Sequence, residues 1–303
     1  MLRTAILGLL ACLVAACGQP DDHKNKSREP ANPLLWEIAR ADQPGPDPQA
    51  GEAMGWLLGT IHALPDDAQW RTRSTDRAIA EADVLAVEIA DLGDGGGVSS
   101  AFLSLAYSAG QPALTARVPA AQRGQLADLI DETSYRLDDF ERIESWGAAL
   151  ILAQAIGTDA KSANGIDRAL LRDFASRRVV ELEGARAQFE AFDGLSEGAQ
   201  RAMLAAIVEE SQSDKEALER PIRVYLAGDE AGLEKLSYEG MLANSEIRNA
   251  LLTRRNASWL PQIEALLADG SRPLIAVGAA HMVGEDGLVA LLEANGYRVT
   301  RMR

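Results

Sequence analysis

Two histidines stand at the same offset from a glycine, each just past an apolar run. "MGWLLGTIHALP" carries Gly59 and His62; "PLIAVGAAHMVG" carries Gly278 and His281. With 26 glycines in 303 residues, a glycine at a fixed offset is about a one-in-12 event, and a matched pair arises about once in 140. Ligands of open α/β sheets collect beyond the carboxyl ends of strands, where both imidazoles would sit. If the two strands are parallel neighbours the imidazoles converge, a typical beginning of a divalent-metal site. The competing reading makes each histidine a hydrogen-bonded core residue. A scaffold-only protein would keep the two rings apart.

A metal site needs carboxylates as well. Glu88 interrupts "VLAVEIA", where a charge inside a buried strand is costly unless paired or metal-bound. A solvent-facing edge strand is the alternative. Glu183 ends the run in "VVELEG", with Glu181 on the opposite face; a helix cap or a salt bridge would serve equally well there.

The elements that must position these groups follow from periodicity. "PLLWEIAR", "MGWLLGTIH" and "VLAVEIAD" read as strands, the last containing Glu88, with a helix in "RSTDRAIAEAD". A glycine-rich connection, "DLGDGGGVSS", then leads into helical patterns from about residue 101 to 175. Among them "SWGAALILAQAIG" is apolar on most sides and predicts a buried helix. A strand at Val179–Leu182 passes into a helix near Gly184. One helical stretch covers Leu195–Leu226, and "NALLTRRNASWLPQIEALLADG" predicts one long helix. The chain closes strand, loop, helix, strand; Gly59 and Gly278 read as turn glycines, each permitting a tight turn or a close backbone approach. The expected fold is α/β, with α+β as the option: one domain over 34–303, a mixed central sheet built from N- and C-terminal strands, and a helical insertion at about 101–252.

Composition narrows the classes. Acidic residues outnumber basic ones 45 to 30, for a formal charge of -15, which argues against a nucleic-acid surface. "MLRTAILGLLACLVAACGQP" reads as an export signal over 1–17, too short to span a membrane. "LVAAC" resembles a bacterial lipobox, making Cys17 a lipid-modified N-terminus; cleavage at Cys12 or an ordinary secretory signal competes. Both cysteines lie in this leader, so the mature body has neither disulfide nor thiol nucleophile. Residues 18–33 read as a flexible tether, with His23 solvated in it. The expected location is the bacterial cell envelope, as a periplasm-facing lipoprotein touching membrane only through Cys17.

H-E-x-x-H, G-x-S-x-G, Walker and G-x-G-x-x-G signatures are absent. What is present resembles the TraB/GumN family, which includes the Tiki proteins and is distantly similar to erythromycin esterases. "LLGTIHALP", "ADVLAVEI", "GIDRALLRDFASRRVVELEGARAQF", "LLTRRNASWLPQIEALL" and "LIAVGAAHMVGEDGLVALLEANGYRV" carry the likeness in order. The resemblance implies an active constellation of His62, Glu88 and His281, with Asp167, Glu183, Arg255 and Asn256 in support. Tiki members are described as metal-dependent proteases, and other members are associated with shutting down a peptide pheromone response. Where many relatives read "ELET", this chain reads "ELEGAR".

On that footing a divalent ion (Mn, Co or Zn) held by His62, Glu88 and His281 would polarise a carbonyl and acidify bound water. Glu88 or Glu183 would act as general base, and Arg255 or Asn256 would stabilise an oxyanion; for Asn256, helix packing is the competing role. The expected function is a metal-dependent, peptidase-like hydrolase of the envelope acting on a peptide or small molecule. The alternative is a non-catalytic binder of peptides or signals in the same cleft.

Overall fold

The computed structural model describes residues 32–41, 53–92 and 96–302. The expected leader with Cys17, the tether up to residue 31 and parts of the two Pro- and Gly-rich loops lie outside the described residues.

The chain opens with β1 (Leu35–Arg40), β2 (Gly55–Thr60), α1 (Arg73–Glu81) and β3 (Val84–Val87). Thr72 caps α1 through a reciprocal box with Thr75, which fixes where the chain turns back toward the sheet. Helices α2 (Gly97–Leu105), α3 (Arg123–Asp131), α4 (Ser145–Ala153) and α5 (Ile166–Asp173) follow. Then come β4 (Arg178–Glu181), α6 (Gly184–Asp193), α7 (Glu197–Glu210), α8 (Lys215–Ala227) and α9 (Glu230–Leu236). A short α10 (Ser245–Arg248) runs through a π-helical turn, Asn249–Thr253, into α11 (Arg254–Ala268). Strand β5 (Pro273–Gly278), α12 (Leu288–Ala294) and β6 (Tyr297–Met302) finish the chain.

The six strands form one mixed sheet in the order β4-β3-β5-β2-β1-β6. Strands β4, β3, β5 and β2 are mutually parallel, while β1 runs antiparallel to both β2 and β6. The fold is therefore α/β with a large helical region, as expected. β5, near the end of the chain, sits between β3 and β2. That insertion is what brings the second glycine–histidine segment beside the first.

Apolar residues divide into two packed groups. One lines the sheet and its nearest helices, with Trp56, Leu57, Ile275 and Trp259 fully buried. The other is made by the helices alone, around Phe102, Phe140, Trp146 and Met203. All of α4 is buried, because it has no polar face to present to water.

The strand expected at Val179–Leu182 is present as β4, which interrupts the helical span at 101–252 and pairs with β3. Three details differ from expectation. The stretch over 195–226 is two helices, broken where Asp214 caps α8. Glu88 lies just beyond β3 rather than inside it. Gly59 is not a turn residue but a buried member of β2. A Cβ there would lie 3.1 Å from Leu34 Cβ and 3.2 Å from Ala279 Cα, so close packing demands the glycine. Gly278 ends β5 with an ordinary φ of -48°, so neither position needs a left-handed backbone.

Candidate functional site

All four parallel strands end on the same edge of the sheet, and the residues of interest lie just past those ends. His62 follows β2, Glu88 follows β3, Glu183 follows β4 and His281 closes the short turn after β5. In register, Thr60 faces Gly278, so the equally spaced histidines leave the sheet one step out of phase. They still converge. From the position a Cβ on Gly278 would take, Glu88 Oε1 is 3.3 Å away, His281 Cδ2 3.6 Å and His62 Nε2 3.8 Å. The separation expected of a mere scaffold does not occur.

His62 is held from behind. Its Nδ1 lies 2.7 Å from Asp167 Oδ2, and Thr60 Oγ1 donates to Asp167 Oδ1 at 2.7 Å. Asp167 sits in the first turn of α5, where a carboxylate is favoured by the helix dipole. Gly165 lets α5 approach: a Cβ there would come within 2.3 Å of the His62 carbonyl oxygen. Burial alone would lower the His62 pKa, but Asp167, followed by Glu88, raises it to about 9. Its side chain remains 33% exposed, and no described group bonds its Nε2, which faces the cleft.

His281 is the opposite case. It is buried, with Nδ1 2.7 Å from Asn256 Oδ1 and Nε2 3.2 Å from Arg255 Nη1. A guanidinium can only donate, so Nε2 accepts and the ring is the neutral Nδ1–H tautomer. Burial, then the Arg255 charge, lower its pKa to about 3. The Trp259 ring packs on it with centroids 4.6 Å apart.

Arg255 binds the centre together. Its Nη2 donates to Glu88 Oε2 and to Glu183 Oε1, each at 2.5 Å, and its Nε reaches both Glu183 oxygens. Nη1 serves His281 and, at 3.0 Å, the Leu251 carbonyl. The π-helical turn ahead of Arg255 belongs to a class of distortion common at functional sites. All five guanidinium protons are engaged, so Arg255 has no donor left for an oxyanion. Asn256 is equally occupied: Nδ2 donates to the Asp286 carbonyl at 2.8 Å while Oδ1 holds His281. Both are positioning residues in this arrangement.

The expected base roles shift for a similar reason. Glu88 Oε1 accepts from the Gly278 amide at 2.7 Å and Oε2 from Arg255. Burial would raise its pKa, yet Arg255 first, then the histidines and the amide, bring it down to about 2. It is an ionised anchor and too weak a base. Glu183 is occupied by Arg255 and by Trp259 Nε1 at 3.2 Å. His62 Nε2 is the open proton-transfer atom. Thr60, Gly165 and Arg255 as a hub were invisible to sequence spacing; Asp167 came only through the resemblance.

The donor chemistry partly suits a divalent ion. Both histidines have Nδ1 tied to a side-chain oxygen, the arrangement that aims Nε2 inward in metal sites. Glu88 and Glu183 share the Arg255 guanidinium while Asp167 pairs with His62, so three carboxylates stand against two cationic partners and one negative charge is in surplus. Against this, Arg255 holds the His281 Nε2 lone pair. Among the described residues no group of three His, Cys, Asp or Glu is spaced to hold an ion.

The model of the TraB/PrgY/gumN family matches residues 34–301. No curated protein and no solved structure matches the chain. Among the described residues no helix is long and apolar enough to cross a membrane.

Proposed function

This chain belongs to the TraB/PrgY/gumN family, and we propose that it is a hydrolase of acyl bonds, peptide bonds foremost, with His62 as its acid–base group. The observation that carries the reading is the single open imidazole nitrogen of His62, backed by Asp167 and set beside an anchored Glu88 at the carboxyl edge of the sheet. Asp167 keeps the ring in the Nδ1–H form and stabilises the imidazolium. With its pKa raised to about 9, His62 accepts a proton from the attacking water only after losing its own Nε2 proton. Turnover therefore rises with pH toward 9, and the imidazolium then returns the proton to the leaving group. Glu88 and His281, fixed by Arg255 and Asn256, wall the place where the carbonyl sits and keep it from bulk water.

A second reading adds a divalent ion, Mn, Co or Zn, to His62 and Glu88, with His281 joining if Arg255 withdraws Nη1. The surplus of buried carboxylates and the two tethered imidazoles favour it. Such an ion would supply Lewis acidity to the carbonyl. In both readings the leader over 1–17 exports the chain and Cys17 carries the lipid, placing the domain at the envelope; mass spectrometry of the mature N-terminus tests that.

The deciding experiment measures turnover of labelled peptide pools by the purified protein, with elemental analysis before and after chelation. Turnover that survives chelation and vanishes in His62→Ala supports the first reading. Turnover restored only by added metal supports the second. Peptide binding without cleavage under either condition makes the protein a non-catalytic binder and rejects both.

A further inference from the structure

The cleft beside His62 extends along Val87, Ile89 and Leu92 to Arg168, the residue after Asp167 on α5. Its polar groups can be accounted for atom by atom. Glu88 is held by Gly278 and Arg255, and Asp167 by Thr60 and His62. Arg168 donates Nη1 to the Leu92 carbonyl at 2.7 Å, and its Nε and Nη2 have no partner among the described residues.

That bond matters for recognition. It ties down one arm of a half-buried guanidinium, so less side-chain freedom remains to be lost on binding. The arms left open, Nε and Nη2, form the side-on edge that matches the two oxygens of a carboxylate. Apolar walls on one side and a cation at the end describe a pocket for a short aliphatic segment ending in a negative charge.

We propose that Arg168 is the specificity residue of this cleft and binds a carboxylate of the substrate. The proposal rests on the cleft being the place of hydrolysis, and it names the substrate class: acyl compounds with a carboxylate near the scissile bond. The carboxylate is either the C-terminus of a peptide or an acidic side chain.

The test uses three pools of fluorophore-labelled hexapeptides: free C-termini without acidic side chains, amidated without them, and amidated with one Glu. Cleavage and binding by anisotropy are measured with the full-length protein and with Arg168→Gln and Arg168→Lys. The expected result is a preference of about tenfold or more for one carboxylate pool over the neutral pool. Arg168→Gln brings that ratio to about one, and Arg168→Lys keeps part of it. Which pool wins identifies the source of the carboxylate. If binding shows the Arg168-dependent preference but nothing is cleaved, the hydrolase reading fails and the Arg168 assignment stands. If the wild-type protein treats all three pools alike, or Arg168→Gln leaves the ratio unchanged, the assignment is overturned.

Discussion

His62 and Asp167, separated by 105 positions in the chain, meet through an Nδ1···Oδ2 contact of 2.7 Å. That pairing sets the protonation of the one imidazole whose second nitrogen opens on the cleft. It also separates the two histidines functionally, since His281 has both nitrogens engaged.

Replacing Asp167 by Asn removes the charge that holds the His62 proton. Turnover falls by about 100-fold or more, because the ring loses its tautomer and its counter-charge. In NMR of the metal-free protein, the His62 titration moves from about 9 toward the ordinary 6.5. Asp167→Asn with unchanged turnover would remove His62–Asp167 from the mechanism.

The same pair makes stability depend on pH. The folded pKa of about 9 lies above the ordinary imidazole value of 6.5, so the folded state binds the proton more tightly. The stabilisation is fully present below pH 6.5 and is lost as pH rises through 9. Urea midpoints between pH 6 and 10 (about four units, spanning both values) should fall with pH in the metal-free protein and flatten in Asp167→Asn.

Gly278→Ala puts a methyl group where three functional side chains meet, 3.3 Å from Glu88 Oε1. The backbone there accepts alanine, with φ at -48°. Turnover is expected to drop by about 100-fold, with a melting temperature within a few degrees of wild type. Full activity would place the reacting carbonyl elsewhere.

Arg255→Met leaves Glu88 and Glu183 buried without their cation. Denaturant unfolding should show a loss of about 3–5 kcal/mol. Adding Glu183→Gln to that variant recovers part of the loss, since one uncompensated charge disappears. Additive losses in the pair would mean that the two groups do not interact.

Gly184→Thr is expected to destabilise. Gly184 has φ +82°, and a Cβ would lie 2.3 Å from Glu181 Oε1. A β-branched residue in that conformation costs about 1–2 kcal/mol or more, read from the shift in urea midpoint. The glycine in "ELEGAR" thus has a local backbone reason.

Much of the fold was legible because periodicity survives without neighbours. The capped helix at Arg73, the wholly apolar helix around Trp146 and the strands at both termini follow from local pattern. Less legible were breaks and ends. Glu88 looked like a residue inside a strand because apolar groups flank it, and only its bond to Gly278 explains why the strand stops before it. Gly59 looked like a turn because a histidine follows, but its reason is contact with Leu34 and Ala279 from other segments.

The sequence by itself determined which residues could carry chemistry: two histidines after strand-like runs, and a glutamate too costly to bury unpaired. It also determined the strands that would end beside them, since alternation and apolar runs act over a few neighbouring residues. Only the tertiary structure decided how the work divides. Insertion of β5 between β3 and β2 put the rings together, and the Arg255 guanidinium closed off His281, Glu88 and Glu183 while leaving His62 open. Hydrogen bonds between groups brought close by folding have no trace in spacing, because their partners are fixed by packing rather than by chain order.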